Sequence, residues 1–283
     1  ISTQQITKAT KMVSAAKLRK AQQAILQMRP YANRLNVTLS HLLSGGDADE
    51  GLQFGKPTEK KHPLLVVISS DRGLCGAFNA NILKLCMASI REQHGTAYEA
   101  GDLSLMFIGK KGSDFLRRRL PKAKVIDQYL GTYANPEFDV IAGIADRLMA
   151  DFSSGTCDQV EIYYSRFKNA ATQFPEREQY LPVSKMPETK GSGASLRADY
   201  IFEPNQAELL RELIPSILQT QLFKCLLDTQ ASEHGSRMTA MDKATENAEE
   251  MLGDLRIHYN KARQEAITKE LSEIVGGAAA LAG

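Results

Sequence analysis

Two hydrophobic rhythms run along this chain, a heptad-like one at both ends and a strand-and-helix alternation between them. From Ser216 to Gly283 there is no proline, and glycines stay scattered until Gly276 and Gly277. Read as one helix starting near Gln206 in Glu-Pro-Asn-Gln, this segment runs for roughly 75 residues and on the order of 110 Å. No compact domain needs a rod that long. Steps of four and three along it pick out His234, Met238, Met241, Thr245, Ala248, Leu252, Leu255, Tyr259, Ala262 and Ala266, which is a coiled-coil period. Thr245, Ala248, Ala262 and Ala266 are small where a strong dimeric zipper carries leucine or isoleucine, so a neighbour can approach closely. A long helix in a bundle shares this period; the length favours a two-helix shaft.

The partner helix is expected in the same chain. Ile6, Ala9, Val13 and Ala16 step three, four, three, and Tyr31, Leu35, Leu39 and Leu42 extend an apolar stripe toward Ser44 and Gly45. Pro30 removes one backbone donor and is expected to kink or weaken the helix. Two rods leaving the same end of a central domain run antiparallel and form one stalk.

Between the rods, apolar runs alternate with amphipathic stretches as in a parallel α/β sheet. Strands are expected at Pro63–Ser70, Leu103–Gly109, near Ala123–Gln128 and at Gln159–Phe167, with an edge strand at Thr172–Pro182 bounded by prolines. Helices are expected from about Gly76 to Gln93, around Ser113–Arg119 and from Pro136 to Phe152. Lys185–Ala198, with Pro187, Gly191 and Gly193, reads as a mobile linker. The fold class is α/β: a long antiparallel two-helix coiled coil from the N- and C-terminal segments plus a central Rossmann-like α/β domain. The expected division is residues 1–56, 57–199 and 200–283.

Charge adds one feature. The formal net charge is only +2, but from Ile1 to Gly46 Lys8, Lys11, Lys17, Arg19, Lys20, Arg29 and Arg34 stand without one acidic residue. Cys75, Cys86, Cys157 and Cys225 are far apart and form no C-x-x-C pattern, which argues against a disulfide framework or zinc site and for plain thiols in a reducing compartment. No apolar run has the length of a membrane span, and no signal peptide is evident. The chain starts on Ile1, already in helical pattern, which points to leading residues missing or processed, a transit peptide among the options.

Candidate chemistry is sparse. Asp71-Arg72-Gly73-Leu74-Cys75-Gly76 and Gly109-Lys110-Lys111-Gly112-Ser113 follow strands but match neither G-x-G-x-x-G nor G-x-x-x-x-G-K-[ST]. They read as turn glycines between strand and helix, with Lys110 and Lys111 able at most to hold an anion adventitiously. The five histidines show no H-E-x-x-H spacing and there is no G-x-S-x-G elbow. No catalytic, cofactor or metal site is expected.

Four stretches read together resemble one family, the gamma subunit of the rotary F-type ATP synthase. They are Ile6-Thr7-Lys8-Ala9 through Met12-Val13-Ser14-Ala15-Ala16-Lys17, Ser70 through Gly76, Ser236-Arg237-Met238-Thr239-Ala240-Met241, and Ala262-Arg263-Gln264 through Ile267-Thr268 and Glu270-Leu271 to Gly277-Ala278-Ala279. The resemblance implies a rotor shaft whose terminal helices penetrate a ring of alpha and beta subunits. The α/β domain would sit below, with epsilon, on the membrane ring of c subunits. Catalysis would belong to beta, and this chain, not itself an enzyme, would couple proton flow to ATP synthesis by turning. By motif match, Arg263, Gln264 and Thr268 contact a beta loop, and Tyr200, Phe202 and Glu203 resemble the foot on the membrane ring. The basic shaft face of Lys8, Lys11, Lys17, Arg19 and Lys20 suits acidic loops on beta. The uncharged Ala- and Gly-rich stretch Ile274–Gly283 suits a smooth tip turning in a sleeve.

The implied location is peripheral, on the cytoplasmic face of a bacterial inner membrane without insertion, or on the mitochondrial matrix face if a transit peptide was removed. Two departures stand against the family pattern: a further stretch normally precedes Ile6-Thr7-Lys8, and the regulatory cysteine pair of the chloroplast branch is missing. The alternative reading is a nucleic-acid-binding coiled coil tracking phosphates with Lys8–Lys20, opposed by the acidic residues along the C-terminal rod. A nucleotide-dependent enzyme rests on fold analogy alone.

Overall fold

The computed structural model describes residues 2–44, 62–183 and 206–282. Helix α1 spans Ser2–Ser44, and its partner at the other end, α6, spans Gln206–Ala282. Both run through a proline, Pro30 and Pro215 respectively. Between them lie β1 (Pro63–Ile68), α2 (Phe78–Gln93), α3 (Gly95–Ala100), β2 (Ser104–Ile108), α4 (Lys110–Arg119), β3 (Lys124–Ile126), a 3-10 turn (Leu130–Tyr133), α5 (Phe138–Ser153), β4 (Gln159–Phe167) and β5 (Gln173–Leu181). The expected linker at 185–198 and both expected domain boundaries lie outside the described residues.

The five strands form one sheet in the order β3-β2-β1-β4-β5. β1 pairs in parallel with β2 and β4, and β2 with β3, while β5 returns antiparallel on β4. Successive side chains on a strand point to opposite faces, and β1 buries both sets. Leu64, Val66 and Ile68 face α5 and the lower half of α6, among Ile141, Ile144, Leu218 and Leu222. Leu65 and Val67 face α2 and α4, among Phe78, Ile82 and Leu116. Burial on both faces explains why this strand reads as an unbroken apolar run rather than an alternation.

α1 and α6 pair antiparallel. Gln4 meets Glu249, Thr7 meets Thr245, and Lys11 meets Asp242; further down, Leu18, Ala21 and Ile25 share a buried cluster with Leu227 and Ala231. The lower half of α6 is thus a core helix of the α/β domain, and its upper half is one strand of a two-helix rod.

Candidate functional site

The seam of the rod is built from a different face of α1 than the apolar stripe suggests. Ile6 is 63% exposed and Val13 57%, and Ala9 and Ala16 are exposed too. The inward positions are Gln4, Thr7, Lys11, Ser14, Leu18, Ala21, Ile25 and Met28, alternating steps of three and four. Leu18, Ala21 and Ile25 decide the phase, because they bury apolar surface on α6 and its neighbours. A continuous helix carries that phase upward and turns polar residues inward. There the seam closes through side-chain bonds: Thr7 Oγ1 accepts from Thr245 Oγ1 at 2.8 Å, Gln4 donates to Glu249, and Lys11 pairs with Asp242. Lys11 therefore stands in the seam and not on a free basic face. Leu35 packs against the domain core and Tyr31 is exposed; the side chains of Leu39 and Leu42 lie outside the described residues.

On α6 the expected seam holds as far as Leu252. His234, Met238, Met241, Thr245, Ala248 and Leu252 are buried or half-buried, whereas Leu255, Tyr259, Ala262 and Ala266 are exposed. Every residue from 253 to 280 is exposed, a stretch of helix about 40 Å long above the Gln4–Glu249 contact. It presents Leu255, Tyr259, Ile267, Leu271 and Ile274 to solvent, more apolar surface than a free helix normally shows. Arg263, Gln264 and Thr268 lie on it, exposed, and the Thr268 hydroxyl donates to the Gln264 carbonyl at 2.8 Å. The remaining basic residues of α1, Lys8, Lys17, Arg19 and Lys20, are exposed. At about 100° per residue Lys8 and Arg19 share one flank and Lys17 and Lys20 the other, so they collar the open side rather than line one face. Tyr200, Phe202 and Glu203 lie outside the described residues.

Where β1 ends, two motifs far apart in sequence meet. The loop after β1 crosses α6 at Ser236 and Arg237. Ser236 Oγ donates to the Cys75 carbonyl at 2.7 Å, and Arg237 donates to the carbonyls of Arg72 and Gly73 at 3.3 and 3.1 Å. Thr229 and Ser232 bond the backbone of Ser165 near the end of β4. The crevice between the C-terminal ends of β1 and β4 is the switch point of this sheet, where doubly wound folds hold their ligands. Here α6 fills it. A cavity of about 80 Å³ remains, lined by Phe78, Asn81, Ser165, Gln173 and Ser236 among others.

The second glycine motif is also occupied from within. At the start of α4 the amides of Lys110, Lys111 and Gly112 donate to Asp71 Oδ1, the Ser70 carbonyl and Ser69 Oγ. A carboxylate of the chain thus sits where an anion would bind a helix N-terminus. Gly109, at φ 99°, could carry no side chain, since a Cβ would lie 1.9 Å from the Ser69 carbonyl oxygen.

A charged node behind Arg237 was not legible as a site in the sequence. Glu233 receives Arg237 at 2.5 Å and the Tyr133 hydroxyl at 2.7 Å, with both ionic partners largely buried. Burial, then the Glu233 charge, pushes the Tyr133 hydroxyl well above its ordinary value. Gln230 donates to the Tyr133 carbonyl at 2.7 Å. The 3-10 turn, the β1 loop and α6 are thereby fixed to one another by charge-assisted bonds. The available signal was the Glu and Arg spaced i, i+4 in Glu-His-Gly-Ser-Arg. Gly235 lies between them because the β4–β5 hairpin comes so close that a Cβ there would meet the Ala170 carbonyl at 3.1 Å.

The arrangement supplies an interlocked domain and a projecting helix. Among the described residues no helix is long and apolar enough to cross a membrane. The family model described as ATP synthase matches residues 1–281. The ATP synthase gamma chain of Cytophaga hutchinsonii is 47% identical over 280 residues, covering 99% of this chain and 94% of that one. That of Flavobacterium psychrophilum is 48% identical, covering 100% and 95%. Among solved structures, a chain of the central stalk and c-ring of Tetrahymena thermophila mitochondrial ATP synthase is similar with a TM-score of 0.59 and 25% identity, over 85% of this chain and 99% of that one. A chain from the Euglena gracilis mitochondrial ATP synthase shares the fold, with a TM-score of 0.57 at 17% identity. A docked α/β domain, an antiparallel two-helix rod and these full-length likenesses agree: the chain belongs to the gamma-subunit family of the F-type ATP synthases.

Proposed function

We infer that this chain is the central rotor shaft of an F-type ATP synthase, coupling rotation driven by transmembrane ion flow to ATP synthesis on neighbouring subunits. The observation that carries this reading is the α6 segment 253–280, wholly exposed and studded with apolar side chains. Such a rod is shaped to be surrounded. Alpha and beta subunits would form the sleeve, with Arg263, Gln264 and Thr268 against a beta loop. The collar of Lys8, Lys17, Arg19 and Lys20 would attract acidic loops without locking to them.

The chain itself is non-catalytic in this reading. Its switch-point crevice holds its own helix and its α4 N-terminus holds its own carboxylate, so a nucleotide has no place at either. It acts by differential contact: turning presents a different side of an asymmetric rod to each surrounding site, and each site shifts toward the conformation that side favours. The lower end, where α6 enters the domain, would rest with epsilon on the ring of c subunits, peripheral to the membrane. Nothing in the seam favours nucleic acid over this, because Lys11 is already paired with Asp242.

Native mass spectrometry after mixing with alpha and beta subunits tests the reading. The expected product holds one copy of this chain per ring, and loses it when residues 253–282 are removed. A ring that excludes the full chain would overturn the assignment.

A further inference from the structure

His234 lies where three elements converge. On α6 it is followed by Gly235, which abuts the β4–β5 hairpin at Ala170, and preceded by Ala231, which is buried with Leu18 and Ala21 of α1. Its Nδ1 is enclosed and has no hydrogen-bond partner. The charged groups acting on it are Glu233 and Arg237 on α6 and Lys17 on α1, while the hairpin contributes Phe167 and Ala170 to the neighbouring cluster. Glu233 is already engaged by Arg237 and the Tyr133 hydroxyl. A proton on this half-buried imidazole would therefore add a cation near two others, with no acceptor for the hydrogen on the enclosed Nδ1.

We propose that His234 is a proton-sensitive latch on the rod: neutral, it lets α1 close on α6 beside the domain, and protonated, it loosens that pairing over Ser14–Ile25. Among the described residues, the setting separates it from the other buried or half-buried histidines, since His94 faces Glu161 at 3.2 Å and His62 faces Asp102 at 3.4 Å. Burial is the main cause holding the His234 imidazole below its ordinary value of 6.5, with Glu233 opposing and Arg237 and Lys17 reinforcing. The folded value lies below the unfolded one. The seam is thus unaffected above the ordinary imidazole range, and loses stability as pH falls through and below it.

The inference concerns the chain's own helices and stands apart from the rotor reading. Amide hydrogen exchange of the full chain at about pH 7.5 and about pH 5.5, corrected for intrinsic rates, tests it. Opening of α1 residues 14–25 should rise roughly threefold or more in acid for the wild type. It should stay level in His234→Gln, which is neutral at both values; His234→Phe serves if the glutamine variant fails to fold. An equal rise in wild type and neutral variant, or no rise in the wild type, would overturn the proposal.

Discussion

Two buried carboxylates, Glu233 and Glu161, hold most of what is specific at the residue scale. Arg237 fixes the β1 loop through two carbonyls and neutralises Glu233. Arg237→Ala leaves that carboxylate buried beside a single hydroxyl donor and should cost about 3 kcal/mol in chemical denaturation. Glu233→Gln keeps both hydrogen-bond partners in reach and should cost less; the reverse order would show that the node is incidental. Glu161 is the other case. Burial pushes its carboxyl up, but bonds from His94 and Tyr163, with the charges of His94 and Arg177, outweigh burial and leave it below its ordinary 4.5. A depressed carboxylate contributes stability above its unfolded value and loses it as pH falls through the folded one. Glu161→Gln should therefore be about 1–3 kcal/mol less stable at neutral pH, with a flatter acid limb below pH 4.5. A variant whose pH profile parallels the wild type would refute this assignment.

At the scale of elements, the phase of α1 is the decisive finding. Leu18 is 6% exposed on the seam and Ile6 is 63% exposed outside it. Leu18→Ala should cost about 2–4 kcal/mol and Ile6→Ala less than about 0.5 kcal/mol, read from unfolding curves of the full chain. Equal losses would restore the apolar stripe as the seam. Strand β4 coincides with its expected range, and α6 begins at the expected Gln206, because buried β-runs and unbroken helical periods are strong local signals. The phase of α1 was not legible: a seam through Gln4, Thr7 and Lys11 is polar, and periodicity analysis finds apolar residues, whichever way they face. The same limit explains the upper seam of α6. Leu255, Tyr259, Ala262 and Ala266 repeat correctly, but what such a repeat packs against is not written in the repeat. The short α3 and the 3-10 turn are not legible in the sequence because single turns carry too little pattern, nor is the Glu233 node, because its bond to Tyr133 spans 100 residues.

At the scale of the whole molecule, the design is a rigid body with a handle. The α/β sheet, α5 and the lower half of α6 share one core, so a turning force on the domain would pass into the rod through packed side chains and the Arg237 node, without a flexible joint at that crossing. In the rotor reading, the contacts at the far end would convert rotation into changes of affinity. Arg263→Ala with Gln264→Ala keeps helix propensity and alters only exposed side chains. The reconstituted complex should still assemble, with ATP turnover reduced about tenfold, a coupling loss near 1.4 kcal/mol. Unchanged turnover in the assembled double variant would move the coupling contacts elsewhere along the rod.

The central claim is that this chain turns inside the complex. All four native cysteines are buried, so Arg118→Cys, on an exposed position of α4, offers a single accessible thiol for a bead. With the complex immobilised through its catalytic ring and supplied with Mg-ATP, the bead is expected to rotate in one direction in discrete steps. A bead that stays fixed while the same complexes hydrolyse ATP would contradict the account.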